Sequence, residues 1–231
     1  MKIAIRIILG MSLLLNIVLI AGGVLVGGKV SRSIGNIIEA LSERRIAAFE
    51  ASKIEKADIV FLGDSITHEG MWGEYFPGKT VLNRGISGDT THDILDRLSA
   101  VTALQPDKLF LMIGINDLNR SWPVDDIIGR YKNLFDRFET EMPQTKIYVQ
   151  AVLPTNSDWV TPINLSDVAE LNAFLETESA RRQFQYIDIN TVFSDSNGAL
   201  RRDLSNDGIH LSGKGYSLWV DYIVTYVNEG G

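Results

Sequence analysis

The 231-residue chain has no cysteine, only three histidines, and fewer bases than acids, 22 Lys and Arg against 29 Asp and Glu. Without cysteine there can be no thiolate zinc site, no iron–sulfur cluster and no cysteine nucleophile. The same absence is neutral about redox compartment, because a cysteine-free chain suits either side of a membrane. A net charge of −7 provides no basic face for phosphates, which argues against nucleic acid as a partner. The chain also lacks internal repeats and low-complexity stretches. At 45% hydrophobic it is neither a disordered tail nor a collagen-like repeat. What survives these exclusions is one domain with a substantial core, alone or with an appendage.

The appendage is legible at the N-terminus. Lys2, Arg6 and Lys29 are the only charges in residues 1–29, and the uncharged run from Ile7 to Gly28 spans 22 residues. A bilayer core of about 30 Å needs roughly 20 such residues as a helix. Residues 1–30 are therefore expected to form an uncleaved transmembrane anchor, with the rest of the chain periplasmic or extracellular. The alternative is a cleaved signal peptide, with Lys2 and Arg6 as its basic region and Ala21 and Gly23 before the cut, and a secreted product. Over residues 31–57 Ile34, Ile37, Ile38, Leu41, Ala48 and Phe49 recur at helical steps. Arg44 and Arg45 break any heptad, so this stretch reads as an amphipathic connecting helix, not a coiled-coil stalk.

Residues 58–231 alternate short apolar runs with amphipathic stretches. The runs are Ile59–Leu62, Thr80–Leu82, Leu109–Ile113, Ile147–Val152 and Tyr186–Ile189. Rich in Val, Ile, Leu and Phe without alternation, they suit strands buried on both faces. The clearest helix runs from Val124 to Glu141, and a last one from about Gly215 to Val227. The expected fold is α/β, a three-layer αβα sandwich on a five-stranded parallel sheet of flavodoxin-like order. Ligands in such folds bind beyond the carboxyl ends of the strands, so chemistry is sought in the loops that follow the apolar runs.

Those loops hold four polar blocks. Gly63-Asp64-Ser65 follows the first run, where a serine can be presented as a nucleophile; Asp-Ser after a strand also serves simply as a helix N-cap. Gly85, within Asn83-Arg84-Gly85, follows the second and suits either a donated backbone N–H or plain turn chemistry. The third run leads into Gly114-Ile115-Asn116-Asp117, which brings a side-chain amide to the same edge. Near the C-terminus, Asp207-Gly208-Ile209-His210 pairs a carboxylate with an imidazole in one loop, as serine hydrolysis requires of its base. His68 falls three residues beyond Ser65, where it either lines a pocket or sits on the surface. His92 starts a helix bearing Ile94, Leu95 and Leu98, and a solvated face is expected for it.

In this order the four blocks resemble those of the SGNH, or GDSL-type, hydrolase superfamily, with Ile66 replacing the Leu of the nickname motif. The resemblance runs from about Ala40 to Val227. Leu153-Pro154-Thr155-Asn156 and Gly213-Lys214-Gly215-Tyr216 look like the acetylesterase-like branch related to platelet-activating-factor acetylhydrolases. It implies that Ser65 is the nucleophile, His210 its base and Asp207 the orienter of the imidazole. The oxyanion hole would then come from the Ser65 and Gly85 N–H groups and the Asn116 side chain. The activity implied is hydrolysis of short acyl esters, acetyl above all. Alternatives are an O-acyltransferase passing the acyl group to a glycan, a lysophospholipase or thioesterase, and a non-catalytic scaffold that kept the fold. A metal phosphoesterase on Asp64, Asp117, Asp207 and His210 is a further alternative. Trp72, Trp122 and Trp159 lie near the blocks and are candidates to shape a substrate pocket, with His68 beside them. A small-molecule or glycan ester is the expected partner; no metal or cofactor is expected.

Overall fold

The computed structural model describes residues 35–37, 39–156 and 163–229. Two compact units divide between Arg45 and Ile46. Of the first, residues 35–37 and 39–45 are described, and they are helical. The second, Ile46–Gly231, opens with helical residues 46–50 (α1) and carries the whole sheet.

That sheet has five parallel strands: β1 (Ile59–Gly63), β2 (Val81–Gly85), β3 (Lys108–Met112), β4 (Lys146–Gln150) and β5 (Gln185–Ile187). Their order is β2-β1-β3-β4-β5, so the expected five-stranded parallel α/β fold of flavodoxin-like order is present. All five residues of β1 are buried, as are the last four of β3 and of β4. This is why the strands read as continuous apolar runs: helices cover both faces of a parallel sheet and leave no residue a wet side. The chain reverses direction across the sheet at β1, which opens a crevice at the carboxyl ends of β1 and β3.

Short helices α2 (Ser65–His68) and α3 (Trp72–Tyr75) follow β1, and α4 (Thr91–Thr102) follows β2. After β3 come α5 (Ile115–Asn119) and α6 (Val124–Glu141), whose bounds match the spacing of apolar residues. Asp125 and Asp126 occupy the first turn of α6, where the helix dipole favours acids, and Ile127, Tyr131, Leu134, Phe135 and Phe138 are buried. Helix α7 (Leu165–Arg181) precedes β5, α8 (Asn190–Phe193) follows it, and α9 (Gly213–Asn228) closes the chain.

An aromatic ladder crosses the sheet. Trp72 stacks on Phe61 at 4.0 Å between ring centroids, Phe61 on Phe110 at 4.9 Å and Phe110 on Tyr148 at 4.4 Å. The strand register sets Phe61, Phe110 and Tyr148 in one row. Trp219 of α9 meets Trp72 edge-on at 4.8 Å. Each such ring, fully buried, contributes about 1.5–3 kcal/mol, so the floor beneath the strand ends is held by large rigid groups.

The expected transmembrane anchor is corrected. Among the described residues no helix is long and apolar enough to cross a membrane; the longest, α6, carries Asp125, Asp126, Arg130 and Lys132 and is apolar along one stripe only. The run from Ile7 to Gly28 lies outside the described residues. A membrane anchor, and with it a periplasmic or extracellular placement of the anchored body, therefore has no support in this fold.

Candidate active site

Three of the four polar blocks meet at the carboxyl edge because β1, β2 and β3 are adjacent and in register. Gly63 pairs with both Gly85 and Met112, the last residues of their strands. Beyond β1, Asp64 caps α2 by accepting from Ile66 N–H at 3.0 Å, so the N-cap reading of Asp-Ser holds for Asp64. The cap fixes Ser65 at the first position of the helix. Gly85 comes so close to the backbone N of His68 that any Cβ would clash there, and this tight approach seats β2 against α2.

The fourth block arrives from the loop before α9. Its turn is pinned at Gly208, whose φ of +86° suits glycine and whose amide donates to Ser205 Oγ at 2.8 Å. Asp207 Oδ1 accepts from the N–H groups of Ile209 and His210 at 2.9 and 2.8 Å. Its other oxygen lies 2.6 Å from His210 Nδ1, and His210 Nε2 lies 2.9 Å from Ser65 Oγ. With Asp207 ionised, Nδ1 is the donor, and Nε2 is left with a lone pair facing the serine hydroxyl. Burial raises the Asp207 pKa, but the hydrogen bonds from the His210 ring and from both backbone amides outweigh it and bring it down to about 2. Residues 65, 207 and 210 are thus in one hydrogen-bonded line.

The remaining expected residues are placed less uniformly. Asn116 is half-buried, and its Nδ2 donates to the Asp89 carbonyl at 2.8 Å, with a second N–H on the same nitrogen. The Gly85 N–H donates to Asn83 Oδ1 at 2.9 Å, so a ligand oxygen would share that donor. His68 Nδ1 is 2.9 Å from Ser87 Oγ. Trp72 is a core residue: it is 1% exposed, stacked on Phe61, and its indole N–H donates to the Thr67 carbonyl at 2.8 Å. It does not line an open pocket. The guanidinium groups of Arg120 and Arg130 lie 5.5 and 4.5 Å from the Trp122 ring centroid, and with Leu118, Ile163, Asp125, Asp167 and Glu170 this tryptophan lines a cavity of about 450 Å³ that carries three acids. Trp159 lies outside the described residues. His92 is on the exposed face of α4, 3.5 Å from Asp96.

Known proteins agree with this geometry in family and fold. A profile of the GDSL-like Lipase/Acylhydrolase family matches residues 61–218. This chain belongs to that family. As a member it is a hydrolase of ester bonds. The platelet-activating factor acetylhydrolase IB subunit alpha2 of Rattus norvegicus is 29% identical to this hydrolase over 172 residues, covering 71% of this chain and 73% of that protein. A solved structure from Streptococcus pneumonia, named for platelet activating factor, superposes with a TM-score of 0.79 at 26% identity, over 87% of this chain and 99% of that one. A GDSL-like lipase from Bacteroides thetaiotaomicron VPI-5482 shares the fold, with a TM-score of 0.71 at 22% identity over 82% and 98% of the two chains.

Beneath the strand ends the hydrolase buries charge, and of the residues concerned reading the sequence names Asp64 and Asp117 but not Asp89 or Arg97. Asp64, Asp89, Arg97 and Asp117 are all under 9% exposed. Asp117 accepts from Thr91 N–H at 3.0 Å and from its hydroxyl at 2.5 Å, joining α5 to the start of α4. Burial pushes the Asp64 carboxyl up to about 7 and Asp89 up to about 6, the latter against the pull of Arg97. Asn83 Nδ2 reaches the carbonyls of Thr67, His68 and Gly70 at 2.9–3.0 Å, tying β2 to the end of α2. Among the described residues no cluster of three or more His, Asp or Glu side chains is disposed to hold a metal ion, so the metal phosphoesterase alternative has no ligand set there.

Proposed function

We propose that this hydrolase is a serine esterase of short acyl esters, acetyl first, working through an acyl-enzyme on Ser65. The observation that carries the reading is the line Ser65 Oγ–His210 Nε2–Asp207, at 2.9 and 2.6 Å. His210 takes the hydroxyl proton as Oγ attacks the ester carbonyl, and Asp207 holds the ring in the tautomer that permits this. Charge developing on the carbonyl oxygen is met by the N–H groups of Ser65 and Gly85, the latter shared with Asn83 Oδ1, and by the second N–H of Asn116. His210 then protonates the departing alkoxide. Water, deprotonated by the same imidazole, releases the acid and restores Ser65.

The preference for acetyl is supported by the name of the acetylhydrolase relative that matches 71% of this chain. His68, one turn beyond Ser65, and Trp122 are the residues expected to border the ester. The scheme uses no metal or cofactor. A panel of p-nitrophenyl esters of rising acyl length, run beside acetylated sugars, tests it. The expected result is kcat/KM highest at acetyl and lost in Ser65→Ala. Rates that rise with chain length would overturn the acyl assignment. An acyl-enzyme that partitions to added glycan in preference to water would overturn simple hydrolysis.

A further inference from the structure

Helix α4 buries Thr91, Ile94, Leu98, Val101 and Thr102, and in the same stripe it buries a guanidinium, that of Arg97, at 8% exposure. A cation so deep must find partners for its donors. Arg97 Nε donates to Asp89 Oδ2 at 2.7 Å, and Nη2 donates to the carbonyls of Gly63 at 3.2 Å and Arg84 at 2.8 Å. Two of the three acceptors, Gly63 and Arg84, belong to motif blocks, and the third, Asp89, lies four residues beyond Gly85. Gly63 ends β1 and leads into Asp64 and Ser65. The Arg84 carbonyl shares a planar peptide unit with the Gly85 N–H and points the opposite way. Asp89, held by its carboxylate, offers its own carbonyl to Asn116 Nδ2 at 2.8 Å.

We propose that Arg97 is the positioning residue of the oxyanion side, one guanidinium setting the aim of the Gly85 N–H and, through Asp89, of the Asn116 amide. The inference rests on the serine-esterase reading above. A cation against the Arg84 carbonyl fixes the plane of that peptide and polarises it, so the N–H on its far side is a better donor. The planar fork of arginine matters here, because three acceptors in different directions are met from one rigid head; the point charge of lysine cannot reproduce that. Asp89 takes only one of the five guanidinium N–H donors, and the direction of the other bonds is what ties Arg97 to the motif blocks. They go to the Gly63 carbonyl, two residues before Ser65, and to the Arg84 carbonyl, in the same peptide as the Gly85 N–H.

The test is Arg97→Lys, which keeps the charge, with Asp89→Asn as a second variant in case the lysine form folds poorly. Turnover is expressed per serine labelled by a fluorophosphonate, which removes any loss of folded enzyme from the comparison. The expected result is a kcat lower by about 10- to 100-fold, the scale set by small misalignments of catalytic donors, with KM held within about threefold. Combined with Asn116→Ala, Arg97→Lys should keep only the part of its effect that runs through the Gly85 N–H, so the combined loss should be less than the product of the two separate losses. Wild-type kcat per labelled serine in both Arg97→Lys and Asp89→Asn overturns the proposal, as does a full multiplication of losses with Asn116→Ala. Turnover surviving in Ser65→Ala would overturn the esterase reading itself, whereas an inactive Ser65→Ala beside a wild-type-like Arg97→Lys overturns only the role of Arg97.

Discussion

The two sides of the candidate site are built from opposite materials. Asp207 and His210 sit three residues apart in one loop, with side chains 51% and 36% exposed, and their geometry is fixed by hydrogen bonds within that loop. The oxyanion side is assembled from three strand ends, and its supports, Asp64, Asp89, Arg97 and Asp117, are nearly dry. The first arrangement is local and lets water screen the carboxylate, yet the backbone N–H groups keep that carboxylate ionised. The second is long-range and desolvated, so its acids are pushed up toward neutrality and its order depends on the packing of the whole sheet. In the proposed mechanism, proton transfer thus rests on a short turn, and charge stabilisation rests on the fold.

Substitutions can test that division, and Ser65→Ala should have the largest effect. It removes the group both sides serve and is expected to cost about 10⁶ in kcat, read as p-nitrophenol release. Asp207→Asn breaks the local side and should cost up to roughly 10⁴ by favouring the wrong imidazole tautomer. Because the Asp207 pKa lies near 2, the wild-type carboxylate is charged at every working pH. Asn116→Ala removes one donor from the fold-dependent side and should cost about 10²–10³ in kcat with KM little changed. An unchanged kcat would take Asn116 out of the oxyanion hole and leave the two sides less alike in function than their convergence on Ser65 suggests.

The same division explains what was legible in the sequence. The strands announced themselves because burial on both faces makes continuous apolar runs, and the Asp207–His210 pair because its members are three residues apart. Helix α7 went unread although Val168, Leu171 and Leu175 fall at helical steps, since most of its surface is polar and its packing is decided by tertiary contact. Trp72 was misjudged as a pocket candidate because sequence position beside Ser65 says nothing about inward or outward facing; the ladder on Phe61 decided it. Arg97 did leave a signal, a lone charge at the step between Ile94 and Val101 on an otherwise apolar stripe. Its meaning depended on Gly63, Arg84 and Asp89, which lie 8 to 34 residues away and meet it only once β1 and β2 pair. The membrane anchor was inferred from length and hydropathy alone, and no described helix supplies it.

The smallest effect expected is on stability and separates the dry side from the wet one. Asp64 is 1% exposed, and burial raises its pKa from 3.8 to about 7, with the charges of Asp89 and Asp117 adding to the rise and His210 opposing it. Between those two values the folded protein holds a proton that the unfolded chain has released. By linkage the stability tied to this group is fully present below about pH 4 and declines as pH rises to about 7. Asp64→Asn keeps an oxygen to accept from Ile66 N–H and cannot ionise. Its melting temperature should therefore fall less between pH 5 and pH 8 than that of the wild type, by a few degrees at about 2–4 °C per kcal/mol for a chain of this size. Asp89, raised to about 6 by the same burial, stays in the variant, so the slope should narrow and not vanish. Asp207→Asn should leave the pH 5 to pH 8 slope alone, because its depressed pKa places its stability change between about pH 4 and pH 2. Equal slopes for Asp64→Asn and the wild type would mean that water reaches the strand ends, and the contrast between a dry and a wet side would fail.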